Sequence, residues 1–333
     1  MFDVSAIHTL AAAHQPTLSA LDRIRVALNE EFDGLEDAVL ALILAVASGE
    51  PLLLIGPPGT AKSRIIRRFC ALVGIDTGEE GAGYFEYLLT PFTEPGELWG
   101  FYDPRAIRKG ALERIHAELM MQRARVVFLD EMFKGSSAIL NSLLAFMNER
   151  IFYDRGRRVA VPLECFFAAT NELPAGAELA AVADRFALRC RVDNAQADGG
   201  RIGELLAKAW PMTYGPNPPV GAVSPTLLGD LKRLRTDVAR SNVFRPDAQL
   251  LRLLAGVVSL AREFGLSQMS NRRVVKSLYV MLMHRIYDEA CRPDDKGAPL
   301  RGRELRLLPL YFLDDTPDES TVRQIDSLIR EQV

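Results

Sequence analysis

Short, largely apolar runs occur at Leu52–Ile55, Tyr84–Leu89, Val126–Leu129, Cys165–Ala169 and Leu188–Val192. Runs of this kind mark strands buried on both faces, as in a parallel sheet. Helical periodicity separates several of them. Ser63 to Leu72 puts Ile65, Ile66 and Phe69 on one side and Arg64, Arg67 and Arg68 on the other, and Ser137 to Asn148 reads similarly. Upstream, a helical region ends in Leu35–Ala47, and Gly49-Glu50-Pro51 breaks it before the first strand. Alternating strands and helices predict an α/β fold with helices on both faces of the sheet.

Two segments interrupt that rhythm. Tyr102–Leu112 carries a Lys109-Gly110 turn between short alternating runs. Ile151–Pro162 places Asp154-Arg155-Gly156-Arg157-Arg158 between two β-prone runs, a hairpin signal. Beyond residue 194 the pattern changes. Gln196–Gly200 is polar, Pro211–Pro225 is proline-rich, and a short helix, Arg201–Trp210, lies between them. From Pro225 onward the chain reads as helical, with an apolar stripe at Leu250, Leu251, Leu254, Val257 and Val258, and Ser270 placed to cap a later helix. A loop over Arg292–Pro299 precedes the last helices. The predicted organisation is an α/β nucleotide-binding domain over 1–195 with an N-terminal helical region. A linker with a short helix follows over 196–225, then a small all-α domain over 226–333.

Composition adds exclusions. Apolar residues make up 48% and charged residues 25%, and the net charge is −3, so no overall basic field favours nucleic acid. The longest apolar stretch, Ala38–Ala47, is too short to cross a bilayer, and Met1-Phe2-Asp3 lacks the basic start of a secretory signal. Cys70, Cys165, Cys190 and Cys291 are scattered, which suits reduced thiols in a soluble, cytoplasmic protein.

The candidate chemistry gathers at strand ends. Leu52–Ile55 runs into Gly56-Pro57-Pro58-Gly59-Thr60-Ala61-Lys62-Ser63, a strand, loop and helix start that form a phosphate-binding loop. Backbone N–H groups of the loop and helix start make an anion site. Lys62 would reach the β- and γ-phosphates of ATP, and the Ser63 hydroxyl would bind Mg²⁺. The residue before the lysine is Ala61 where the common pattern has glycine. Alanine avoids positive φ, so the loop is expected either to be slightly re-shaped or not to need that freedom. Val126–Leu129 ends in Asp130-Glu131. Asp130 would hold Mg²⁺, and Glu131 would polarise the attacking water. Phe166-Phe167-Ala168-Ala169-Thr170 ends in Asn171, which can hydrogen-bond that water or the γ-phosphate.

These motifs, with Asn148-Glu149-Arg150-Ile151-Phe152, Ala169-Thr170-Asn171-Glu172-Leu173-Pro174 and Ala183-Asp184-Arg185-Phe186, resemble the MoxR branch of AAA+ ATPases, in which alanine before the lysine is usual. The likeness is closest to the RavA subgroup, through Phe85–Thr90, Ala138–Asn141, Asn171–Pro174 and Ser270–Arg273. The resemblance implies an AAA+ P-loop NTPase with a five-stranded parallel sheet core and a small all-α lid domain. Tyr102–Leu112 would be its helix-two insert and Ile151–Pro162 its pre-sensor-1 hairpin, both facing a central pore. It implies that Arg185 acts as an arginine finger on a neighbouring subunit's ATP, with Arg150 a second candidate. Arg272 becomes the second sensor arginine, with Arg273 the alternative. Cations are disfavoured in a helix's first turn, and a nucleotide phosphate would offset that cost. The implied assembly is a hexameric homo-oligomer that remodels a protein client, with a von Willebrand factor A-domain partner. A DNA-remodelling motor, a P-loop small-molecule kinase and a nucleotide-gated scaffold are the competing readings. Arg155, Arg157 and Arg158 are the residues on which nucleic-acid binding would rest.

Overall fold

In the computed structural model, the described residues are 3–78, 83–115, 117–174, 176–193, 224–244, 248–267, 269–292 and 307–314, with single positions elsewhere. The expected linker and short helix over 196–225 fall almost entirely outside them, as does most of the Arg292–Pro299 loop.

Three helices open the chain: α1 (Val4–Ala13), α2 (Gln15–Glu31) and α3 (Glu36–Ser48). Ala38, Val39 and Ala41 through Ser48 are all buried, as expected of a helix apolar on every side and enclosed by other elements. Gly49, at φ 73°, ends α3 in the left-handed conformation. The strands are β1 (Leu52–Ile55), β2 (Tyr84–Leu88), β3 (Val126–Asp130), β4 (Ile151–Asp154), β5 (Arg157–Ala160), β6 (Cys165–Thr170) and β7 (Leu188–Arg191). Five of them form one parallel sheet in the order β2-β3-β6-β1-β7. The expected strand ends differ by a residue or so. Leu89 and Val192 lie just past β2 and β7 but still donate to Asp130 O (2.9 Å) and Ile55 O (2.7 Å).

Alternate strand residues serve opposite faces. Leu52, Leu54, Phe128, Phe167 and Cys190 pack against α1–α3 and α4 (Lys62–Leu72). Leu53, Ile55, Val127, Leu129 and Phe166 pack against α5 (Pro95–Trp99), α7 (Ser137–Glu149) and α8 (Ala177–Ala183). The two-sided burial explains why these strands read as continuous apolar runs.

The inserts fold differently from one another. β4 and β5 pair antiparallel around Arg155 (φ 50°) and Gly156 (φ 74°), a two-residue turn with both φ positive that suits the strand twist. The Tyr102–Leu112 segment holds α6 (Pro104–Arg108), capped by the Asp103 side chain, where short alternating runs were expected. Its strand character reduces to one bridge, Tyr102 to Arg114.

The C-terminal helices are α9 (Leu227–Arg240), α10 (Ala248–Glu263), α11 (Asn271–Cys291) and α12 (Leu307–Tyr311). Leu231, Leu234, Val257, Met283 and Tyr311 join the same buried cluster as α1–α3 and one sheet face. On α10 the core side is Leu254, Val257 and Ala261, with Val258 partly buried. Leu251, expected in the stripe, is exposed because 3.6 residues per turn place it to one side of the line through Leu254, Val257 and Ala261. Ser270 caps α11 by accepting from the Arg273 backbone N–H.

Candidate functional site

The carboxyl edge of the sheet collects the loop after β1, the end of β3 and the end of β6, the region where open α/β sheets bind ligands. Gly56 donates to Thr170 O (3.0 Å), fastening the loop to β6. A Cβ on Gly56 would lie 2.0 Å from Val192 O, so only glycine fits against the end of β7. Gly59 (φ 87°) faces open space. Ala61 sits at φ 62°, ψ 19°, immediately before α4. The expectation that alanine would escape positive φ is therefore corrected. The loop keeps its left-handed turn, and the alanine carries a cost of about 1–2 kcal/mol.

Lys62 is buried, and its Nζ donates to Gly56 O (2.6 Å) and Pro57 O (2.7 Å), with Thr60 Oγ1 at 3.3 Å. Burial lowers its pKa, while the charges of Asp130 and Glu131 pull it back up. The lysine thus folds into its own loop and shares the field of both carboxylates. Glu131 adopts φ 51°, ψ 44°, a strained backbone for a non-glycine residue and a common mark of functional positions. Its backbone N–H donates to Asp130 Oδ1 (2.9 Å). Asn171 Nδ2 donates to Glu131 Oε1 (2.8 Å), and Lys134 Nζ lies 3.3 Å from the same oxygen. Lys134 was not singled out from the sequence; its signal was the i,i+3 spacing from Glu131.

Among the described residues no group of three or more His, Cys, Asp or Glu could hold a metal. Asp130 and Ser63 supply two hard oxygen donors, which suits Mg²⁺ because that ion usually keeps waters and nucleotide phosphates as its other ligands.

Lys62, Asp130, Glu131 and Asn171 therefore converge, but Arg185 and Arg272 do not join them. α8 carries the chain from the carboxyl end of β6 back to the amino end of β7, so Asp184-Arg185 lies at the opposite edge. A four-residue strand spans about 13 Å. Ser270 Oγ donates to Asp184 Oδ2 (2.7 Å), which brings the start of α11, with its exposed Arg272, to the same edge. Arg273 is fully buried and donates to Asp314 Oδ1 (2.8 Å), Ser267 Oγ (3.1 Å) and Phe312 O (2.5 Å), and burial lowers its pKa. Arg150 is likewise engaged within its own chain, donating to Gly49 O (2.8 Å) and Leu163 O.

The two inserts meet at Arg114, another residue that the sequence did not single out. Its guanidinium donates to Gly100 O (2.6 Å) and Tyr102 Oη (3.1 Å) and pairs with Asp154 at 3.3 Å. It lies 4.4 Å from the Tyr102 ring centre and 5.4 Å from that of Phe152.

A parallel sheet with this loop, a lysine and a carboxylate pair at its carboxyl edge defines an ATPase-type P-loop domain. The model for the MoxR domain in the MoxR-vWA-beta-propeller ternary systems matches residues 19–233, and the chain belongs to that family. The match gives no support to the RavA placement. An uncharacterized protein of Methanocaldococcus jannaschii is 36% identical over 169 residues, covering 51% of this chain and 43% of its own length. A structural protein of Acidianus two-tailed virus is 29% identical over 185 residues, covering 55% of this chain and 28% of its own. The chain spans less than half the length of these relatives. A crystal structure of a candidate ATPase from Cytophaga hutchinsonii shares the fold at TM-score 0.64, with 17% identity, 98% of this chain covered and 96% of that one. Among the described residues no helix is long and apolar enough to cross a membrane.

Proposed function

We propose that this chain is a ring-forming, hexameric ATPase that couples ATP binding and hydrolysis to remodelling of a protein client, acting with a von Willebrand factor A-domain partner. The observation that carries the reading is the Asn171–Glu131 hydrogen bond beside Asp130 and Lys62. It holds the Glu131 carboxylate at the sheet edge that carries the phosphate loop, able to accept from a water beside a bound phosphate.

The loop N–H groups and Lys62 bind the phosphates, and the lysine exchanges the carbonyls of Gly56 and Pro57 for phosphate oxygens. Mg²⁺, when bound to Asp130 and Ser63, supplies charge neutralisation on the phosphates. Glu131 accepts the proton of the attacking water. A bond forms from the water oxygen to the γ-phosphorus, and the bond to the bridging oxygen breaks, releasing ADP and phosphate. Asn171 orients Glu131 and releases it when the γ-phosphate offers a competing acceptor. Arg185 and Arg272, on the far edge of the sheet, serve a neighbour's nucleotide, so hydrolysis depends on assembly.

Support for a protein client comes from the inserts, which expose Tyr102, Ile107, Leu112, Tyr153 and Val159. Arg155 reaches Leu112 O and Asp154, and Arg158 pairs with Glu149, so two of the hairpin's three arginines already have partners in their own chain. The test is phosphate release by wild type and Glu131→Gln across protein concentration. We expect specific activity to rise with concentration, and the variant to bind ATP while losing at least about a hundredfold in turnover. Concentration-independent activity, or ADP formed without inorganic phosphate, would overturn the reading.

A further inference from the structure

A second charged feature lies at the amino edge of the sheet, away from the nucleotide loop. The end of α3, the segment Gly49–Pro51, the base of the β4–β5 hairpin, one face of α9 and Lys276 of α11 enclose a cleft of about 550 Å³. Its cations are Arg150, Lys232, Arg235, Arg240 and Lys276, and its carboxylates are Glu50 and Glu164. Both carboxylates are already used. Glu50 pairs with Lys276 at 2.6 Å and Glu164 with Arg235 at 3.1 Å. Arg150, Lys232 and Arg240 are left, among the described residues, with no carboxylate partner.

Arg150 gives its terminal nitrogens to the neutral acceptors Gly49 O and Leu163 O. Burial lowers its pKa, and the neighbouring charge of Arg235 lowers it further, although Glu164 and Glu50 act in the other direction. A cation held in poor solvent beside a like charge gains from an entering anion. Lys232, Thr236 and Arg240 stand at i, i+4 and i+8 on α9 and form one line along the cleft wall. That line is about 12 Å long, the reach of roughly four residues of extended peptide.

We propose that this cleft docks an extended acidic peptide segment of a protein partner, with its carboxylates on Lys232 and Arg240 and one side chain reaching toward Arg150. The site does not depend on the hydrolytic reading, because none of its residues lies at the nucleotide loop. Its two walls are the hairpin base and the C-terminal helices, so an occupant bridges the elements on either side.

The test is fluorescence anisotropy of the full chain. One labelled peptide carries about four consecutive Asp and Glu residues between Gly-Ser flanks, and a matched control has Asn and Gln in their place. We expect the acidic peptide alone to bind, with affinity falling as salt rises. The double charge reversal Lys232→Glu with Arg240→Glu should weaken it at least about tenfold, and Thr236→Lys, which fills the gap in the cationic line, should tighten it. All three positions are exposed, and unchanged binding of an ATP analogue and an unchanged melting curve would report an intact fold. Absence of binding below millimolar peptide would overturn the proposal, as would binding indifferent to both variants. Tighter binding of a single-stranded oligonucleotide, lost in the same double variant, would assign the cleft to nucleic acid and equally overturn it.

Discussion

Removing the Arg114 side chain should loosen the coupling between the two inserts without touching ATP chemistry. Two of its contacts reach the hairpin: the Asp154 ion pair at 3.3 Å and the Phe152 ring at 5.4 Å. Both members of the ion pair are mostly shielded from solvent, so it is worth about 1 kcal/mol. The ring face adds about 0.5 kcal/mol. Loss of about 1.5 kcal/mol in the free energy of local opening corresponds to roughly tenfold faster amide exchange. The hairpin partly retains its place through the Trp99–Phe152 stack at 4.6 Å and the Arg155 bond to Leu112 O at 3.0 Å, which keep the effect from growing larger. The remaining contacts, to Gly100 O and Tyr102 Oη, hold the 101–114 segment, which should loosen at the same time. Hydrogen exchange with mass spectrometry on Arg114→Ala should show faster exchange in both inserts, with β1, β3 and β6 unchanged and basal phosphate release within about twofold of wild type. Arg114→Lys should restore little, because an ammonium cannot span these acceptors as a planar fork does. Unchanged hairpin exchange would refute the lock, and so would faster exchange spread through the sheet.

Four further outcomes follow from the same structure. Mixing Glu131→Gln with Arg185→Ala, each inactive alone, should restore part of the phosphate release, because some interfaces then pair an intact Glu131 with an intact Arg185; a mixture as inactive as its components would place Arg185 outside the site. Asn171→Ala removes a 2.8 Å bond to a carboxylate, worth about 1 kcal/mol at an exposed side chain, and should lower turnover about fivefold with ATP affinity little changed. Burial pushes the Cys165 and Cys190 thiols up to about 12 and raises Cys70 as well, so native protein at pH 8 should resist iodoacetamide at these sites and react after unfolding. A raised thiol pKa means the folded state holds its proton longer than the unfolded chain. Stability should therefore fall as pH rises above about 9, which chemical denaturation at graded pH would reveal.

Much of the site was legible in the sequence because its chemistry sits at strand ends. An apolar run fixes where a strand stops, and the residues just past it, Gly56–Ser63, Asp130-Glu131 and Asn171, must then lie at one sheet edge. The hairpin was legible too, since Asp154–Arg158 places a glycine and polar residues between two β-prone runs. Sequence reasoning failed for Arg114 and Lys134. Their importance rests on partners brought close by folding, and an isolated arginine or lysine carries no periodic signal. It also misjudged Ala61, since a propensity gives the cost of a conformation but not the packing that enforces it.

The sequence by itself determined the α/β alternation, the phosphate loop and the carboxylate pair, because each is written in local spacing, while the MoxR family was reached through the resemblance of several motifs taken together. Only the tertiary structure decided how the cations divide. Arg273 sits buried and Arg150 half-buried among partners of their own chain, while Arg185 and Arg272 lie at the edge opposite the loop, along with the cationic cleft of α9. Linear sequence does not encode which edge of a sheet a helix returns to; the parallel crossover through α8 and the packing of α11 across the amino edge do.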